Sequence, residues 1–212
     1  MKLKTEAKRQ AIIDTAAQVF RSVGFERSSM AEICARVGGS KATIYNYFSS
    51  KEELFTEVML QSTEAEFEAV LSFIDASAGD LGAMLRNFGE RFLDLLYSPE
   101  VQAARHLAIA QARHSDIGRL VYERGVLRSQ SLIAQFLGES MREGKLRQAD
   151  PTVATRHLVA LLESELLDRF LFQLPGAITP AEISGCTARA VDAFLAAYAP
   201  PPLQAPSPSS GG

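Results

Sequence analysis

Apolar residues return along this chain at intervals of three and four positions, and runs of β-branched residues are scarce. Between about Thr5 and Val23, residues Ile13, Ala16, Ala17 and Phe20 fall at i, i+3, i+4 and i+7, one face of an α-helix. Gly24 stops that run. Met30, Ile33, Cys34 and Val37 repeat the spacing over little more than two turns before Gly38-Gly39, and Ser29-Met30-Ala31-Glu32 reads as a capping box at their start. Ser40 caps a third short helix over Lys41 to Phe48. Ser50-Lys51-Glu52-Glu53 then opens a long fourth helix, which carries Phe67, Val70, Leu71 and Ile74 on one stripe and reaches about Ala76.

After a turn at Ala78-Gly79-Asp80, four further helix starts are legible: Ser98-Pro99-Glu100, Ser115-Asp116, Asp150-Pro151 and Thr179-Pro180-Ala181-Glu182. Proline is tolerated there because the first turn of a helix has no partner for its N–H. Pro175-Gly176 interrupts the chain before the last helix, and the Pro/Ser/Gly-rich end APPPLQAPSPSSGG reads as a disordered tail. Composition points the same way, since Ala, Leu, Glu, Arg and Gln dominate the long segments and Trp is absent. The expectation is an all-α protein of about nine helices. It has a three-helix head in residues 1–51, a larger helical body in 52–198 and a tail in 199–212.

A net charge of −3 conceals an asymmetry: residues 1–51 hold nine Lys/Arg against four Asp/Glu, and the rest of the chain 13 against 21. A basic head on an acidic body is expected when one part meets a polyanion. Cys34 and Cys186 are too few for a disulfide framework and lack metal-ligand spacing, so a reducing cytoplasm is the expected location. The basic start MKLKTEAKRQ leads into an amphipathic stretch broken by Asp14 and Gln18, unlike a signal peptide. Even LVALLESELLDRFLFQL is cut by Glu163, Glu165, Asp168 and Arg169, which argues against a membrane span. His106, His114 and His157 form no zinc-protease pair, and neither a phosphate-binding glycine loop nor a nucleophile elbow occurs. No enzyme, cofactor or metal is expected.

Two short capped helices joined at a glycine turn on a basic head describe a helix-turn-helix. In its second helix Ile44 points inward with Phe48 one turn on, leaving Ala42, Thr43 and Asn46 opposite and Tyr45 and Tyr47 on the flanks. Ala42 permits close approach to a duplex. Thr43 and Asn46 can bond base edges in the major groove, and the tyrosine hydroxyls can reach phosphates. Lys51 adds an ammonium to the N–H groups that start the fourth helix, a phosphate site. The spacing alone equally admits an amphipathic pair whose aromatic residues are simply core.

The stretch AIIDTAAQVFRSVGFERSSMAEICARVGGSKATIYNYFSSKEEL resembles the N-terminal domain of the TetR/AcrR family of transcriptional regulators. Phe20, Gly24-Phe25, the Ser29 cap, Ile33, Gly38 and SKATIYNYFSSKEEL follow that family's pattern in order. The resemblance implies a homodimer with a DNA-binding head and a ligand-binding body. By position it puts DNA contacts at Ser29, Lys41, Ala42, Thr43, Tyr45, Asn46, Tyr47 and Lys51. Gly39 departs from the usual apolar residue, and Ala42 from a frequent glycine. The segments PEVQAARHLAIAQARHSDIGRLVYERG and LLESELLDRFLFQLPGAITPAEISGCTARAVDAFLAAYAP are similar to the AefR-like branch, with Gln111 in place of a common glutamate.

In the body, Ile183, Thr187, Val191, Phe194, Leu195 and Tyr198 form one apolar stripe of the last helix. The penultimate helix is apolar on more than one face through Leu161, Leu162, Leu166, Leu167, Phe170, Leu171 and Phe172. Two such helices from each of two chains would make a four-helix bundle, and the resemblance places the dimer contact there too, at Leu166, Phe170, Val191, Phe194, Leu195 and Tyr198. Arg105, His106, Gln111, Tyr122, His157 and Glu163 are polar positions among apolar ones, candidates to line a pocket for a small organic effector. Cys34 lies on a core stripe, and Cys186 lies one residue off its own. The expected function is a ligand-responsive repressor bound as a homodimer to a near-palindromic duplex operator. An activator shares every one of these residues, and a helical protein-interaction module without DNA binding is the competing class.

Overall fold

The computed structural model describes residues 2–38, 40–75 and 80–200. The expectations at Gly39, at Ala78-Gly79 and for residues 201–212 lie outside them, as do those for the side chains of Leu71 and Ile74. Among the described residues the protein is all-α, as the periodicity implies, with no strand. The elements are α1 (Lys2–Arg27), α2 (Met30–Val37), α3 (Lys41–Tyr45), α4 (Lys51–Asp75), α5 (Leu81–Leu96) and α6 (Pro99–Gln111). They continue as α7 (Ile117–Val121), a π-turn (Tyr122–Val126), α8 (Leu127–Arg142), α9 (Pro151–Glu163), α10 (Leu167–Leu171) and α11 (Pro180–Tyr198).

The start signals act through hydrogen bonds. Ser29 accepts from Glu32 N, Ser40 from Thr43 N, Asp150 from Thr152 and Val153 N, and Thr179 and Glu182 close a complete capping box. At Ser29 only half of the expected box forms, because the Glu32 carboxylate turns to Arg36 at 2.8 Å. Gly24, at φ 79° and ψ 166°, breaks the helical path of α1 where the sequence suggested a stop.

Two compact units emerge that are not contiguous in sequence. One comprises the described residues of Met1–Ala69 with Leu95–Ser129; the other those of Val70–Asp94 with Gln130–Gly212. In the first unit, Ile12, Ile13, Ala16, Val19 and Phe20 of α1 pack with Met30, Ile33 and Cys34 of α2, Ile44, Phe48 and Leu54. Ala108 of α6 and Ile117 of α7 join the same core, which periodicity could not anticipate.

In the second unit, α9 packs on α11. Five of the six residues expected at a dimer contact, Leu166, Phe170, Val191, Phe194 and Tyr198, are buried within this unit of the single chain, and Leu195 is partly buried. Within the single chain these side chains are covered by their own unit, and it is the neighbouring apolar residues that face outward. The penultimate helix is also not continuous. Ser164 N and Leu166 N make tight bonds back to Leu161 O and Glu163 O, and the Ser164 hydroxyl takes Leu161 O as well, so α9 ends and α10 restarts. The break explains an apolar pattern too broad for one face. Leu167, Leu171, Phe172 and Leu174 are left outward, with Phe172 73% exposed.

Gly89 of α5 sits where a Cβ would lie 2.7 Å from both Leu162 Cδ2 and Thr187 Cγ2, so the backbone approach requires glycine. Thr187 is fully buried beside it, and its hydroxyl finds no hydrogen-bond partner among the described residues. A hydroxyl desolvated without compensation destabilises the fold, so Thr187→Val is expected to raise stability by about 1 kcal/mol in urea unfolding. A loss of stability would show that the hydroxyl is bonded in solution.

Candidate nucleic-acid interface

Glycine sets the corner of the motif: Gly38, at φ 69° and ψ 56°, closes α2 in the left-handed conformation and returns its N–H to Cys34 O. Ser40 then starts α3. The helical residues end at Tyr45 rather than Phe48, although Asn46 N still bonds Ala42 O at 3.1 Å and Phe48 N bonds Ile44 O at 3.0 Å. Ile44 and Phe48 are buried as expected and anchor this turn on the head core.

The outward face consists of Lys41, Ala42, Tyr45 and Asn46. Positions i, i+1, i+4 and i+5 share one side of a helix, so the face is rotated slightly from the one expected. Thr43 is half-buried, and its hydroxyl lies 2.8 Å from the Ser40 hydroxyl, which ties it to the cap. Tyr47 is half-buried against the head core, whereas Tyr45 is 42% exposed with the Lys41 ammonium 5.8 Å from its ring centre. Ser29 is exposed, but its side-chain oxygen serves as the α2 cap.

Lys51 turns inward. Its ammonium donates to Phe25 O at 2.9 Å and Ser28 O at 3.2 Å and stands 4.1 Å from the Phe25 ring centre. These are carbonyls at the C-terminal end of α1, the partially negative end of a helix, where a cation is favoured. In this structure the Lys51 ammonium thus joins the end of α1 to the start of α4. Phe25 in turn packs edge-on against Phe55 at 4.9 Å, and Phe20 against Phe55 at 5.2 Å.

Behind the recognition turn, Glu53 N donates to the Ser50 hydroxyl at 3.0 Å as the expected capping box requires, but the Glu53 carboxylate reaches one residue further back, to Ser49. Glu53 accepts from Ser49 N at 2.8 Å and from the Ser49 hydroxyl at 2.7 Å. The Ser49 hydroxyl first, with Ser49 N–H and Arg124 adding to it, holds the Glu53 carboxyl below the ordinary carboxylate range against the opposing effect of burial.

Of the pocket candidates, Arg105, His106, Gln111 and Tyr122 belong to the first unit and His157 and Glu163 to the second. Gln111 donates to Glu26 of α1, Arg105 lies over the Tyr97 ring at 5.7 Å, Tyr122 is 49% exposed, and His157 Nδ1 pairs with Tyr198 OH at 2.7 Å. A cavity of about 350 Å³ in the second unit is lined instead by Glu165, Arg169, Glu182, Cys186 and Arg189 among others. Its charges are already matched, Arg189 holding Glu165 at 2.8 and 2.6 Å and Arg169 holding Glu182 at 2.7 Å. Burial first, then the adjacent Glu165 carboxylate, pushes the Cys186 thiol up, which disfavours the reactive thiolate. Cys34 is buried in the head core.

Two capped helices at a glycine corner, presenting a polar face over a buried apolar one, define a helix-turn-helix protein. Residues 12–58 match the family described as bacterial regulatory proteins, tetR family, and residues 83–200 match the AefR-like transcriptional repressor, C-terminal domain. A solved structure of a putative TetR-family transcriptional regulator from Mesorhizobium loti is similar at 30% identity and a TM-score of 0.77, covering 92% of this chain and 98% of that one. The flavonoid-responsive regulator FrrA is similar at 30% identity and a TM-score of 0.68 over the same shares of each chain. Among relatives by sequence, the HTH-type transcriptional regulator UidR of Escherichia coli is 29% identical over 132 residues, 58% of this chain and 67% of that protein. The chain belongs to the TetR family of transcriptional regulators. No described helix is long and apolar enough to cross a membrane.

Proposed function

We propose that the protein is a homodimeric repressor that reads a near-palindromic operator and leaves it when a small organic effector occupies the body. The observation that carries the DNA contact is the outward set Lys41, Ala42, Tyr45 and Asn46 over the buried pair Ile44 and Phe48. Asn46 offers an amide able to pair with adenine, Ala42 permits close approach, and Lys41 and Tyr45 can reach phosphates or a base edge. Two such heads would enter successive major grooves about 34 Å apart.

Support for the dimer lies in the outward apolar set Leu167, Leu171, Phe172 and Leu174, a patch of the kind that monomers rarely leave in water. Support for repression and for an effector comes from the AefR-like repressor body and from the resemblance to a flavonoid-responsive regulator. The effector acts by preferring a state whose head spacing no longer fits the operator, and it releases DNA only as far as that preference extends.

Fluorescence anisotropy against DNA from upstream of the protein's own gene, with random duplex as competitor over a salt series, tests the reading. Binding that survives the competitor is expected. Asn46→Ala is expected to cost about 1–3 kcal/mol on the operator and to relax base preference at one position per half-site. Equal losses on operator and random duplex would move base readout away from Asn46.

A further inference from the structure

The π-turn between α7 and α8 is a wider turn than the helices on either side, with Leu127 N–H bonded to Tyr122 O. Such turns are energetically poorer than α-helix and persist mostly where function uses them. Here the turn places two residues against α4. Gly125 lies where a Cβ would come within 3.2 Å of Leu60 Cδ2, and Arg124 spans two carboxylates one helical turn apart, with Nη2 3.1 Å from Glu53 Oε1 and Nη1 3.4 Å from Glu57 Oε2.

Each carboxylate passes the contact on with its other oxygen. Glu53 Oε2 holds the N–H and hydroxyl of Ser49. Glu57 Oε1 pairs with Arg9 Nη2 at 2.5 Å, and the Arg9 guanidinium lies over the Phe48 ring at 5.4 Å from its centre. Phe48 and Ser49 are the residues through which the chain leaves the recognition turn for α4. We propose that Arg124 is a positioning residue for DNA recognition, holding the exit of the recognition turn on α4 by two routes, Glu53 to Ser49 and Glu57 through Arg9 to Phe48.

Single exposed ion pairs contribute little, but these four charges share partners and are only partly exposed, 39% for Arg124, 23% for Glu53, 21% for Glu57 and 30% for Arg9. Removing Arg124 deprives Glu53 of its cation and leaves two like charges at i and i+4 on one helix face, an arrangement that repels. The turn loosens at Phe48 and Ser49, and the outward set Lys41, Ala42, Tyr45 and Asn46 loses its fixed approach to base edges. Arg124 needs no phosphate contact for this effect. Its consequence for DNA rests on the repressor reading above, whereas the local ordering does not.

The test uses the full chain as wild type, Arg124→Met and Arg124→Lys. The DNA probes are a duplex selected by the wild type from a randomised library and an unselected random duplex. Arg124→Met is expected to lose about tenfold in affinity for the selected duplex and less than about twofold for the random one, with an unchanged salt slope. Arg124→Lys recovers most of the loss. Without DNA, hydrogen exchange of the amides from Phe48 to Thr56 is expected to quicken in Arg124→Met while α9 and α11 exchange as before. A group that merely supports overall stability would leave the preference between the two duplexes intact, and that result overturns the inference, as does unchanged exchange at Ser49. Should the wild type select no duplex, the repressor reading fails, and the exchange experiment still decides the positioning role.

Discussion

Phe194→Asp is expected to abolish cooperative folding of the body, whereas Phe172→Asp is expected to leave it folded and to convert the proposed dimer to monomers. Phe194 is fully buried and stacks on Tyr198 with ring centres 4.6 Å apart. Removing its ring costs about 3–5 kcal/mol, and a carboxylate in its place adds a desolvation cost. The sum is comparable with the roughly 5–15 kcal/mol that holds a typical domain together. Phe172 follows α10 and is 73% exposed, so a charge there costs the isolated chain little but must be desolvated at an apolar contact between copies. Urea unfolding followed by circular dichroism reads the first effect and sedimentation the second. A Phe172→Asp variant that still sediments as a dimer would move the contact off Leu167, Leu171, Phe172 and Leu174.

Lys51→Met weakens binding to every duplex, specific or random, and lowers stability, yet leaves the salt slope unchanged. The ammonium is engaged with Phe25 O, Ser28 O and the Phe25 ring. Losing hydrogen bonds to a charged group costs about 1.5–3 kcal/mol, and loss of the ring contact adds about 0.5–2 kcal/mol at a half-buried site. Methionine preserves much of the apolar stem, so the loss reports the charge. The clamp joins the end of α1 to the start of α4, and its removal disorders the scaffold without removing a phosphate ligand. A salt slope reduced by about one unit with stability intact would instead assign the ammonium to a phosphate.

The contrast between Lys51 and Asn46 shows what linear pattern can convey. Spacing identified Ile44 and Phe48 as inward, and both are buried. It also identified the caps at Ser29, Ser40, Asp150 and Thr179, because a cap is a relation between residues two or three apart. The partner of Lys51 is 23 and 26 residues away, and Arg124 meets α4 across 71 and 67 residues. Nothing in helical periodicity distinguishes a lysine that reaches solvent from one that folds back on a carbonyl. The same limit applies to the apolar stripes of the body. An apolar stripe announces burial, and a sequence cannot say whether the covering surface belongs to the same chain or to another.

By itself the sequence determined the helical class, the positions of the caps and of the glycine corner at Gly38, the helix-turn-helix and its family, since each depends on residues close together along the chain. The tertiary structure alone decided that α6 and α7 complete the head core through Ala108 and Ile117, that α9 and α10 are separate, and which apolar side chains remain outward. It also decided that Lys51, Arg9 and Arg124 find partners within the protein. The physical reason is common to all of these: local backbone chemistry selects each element, whereas the choice among possible neighbours is made when the elements compete to bury surface and satisfy charge.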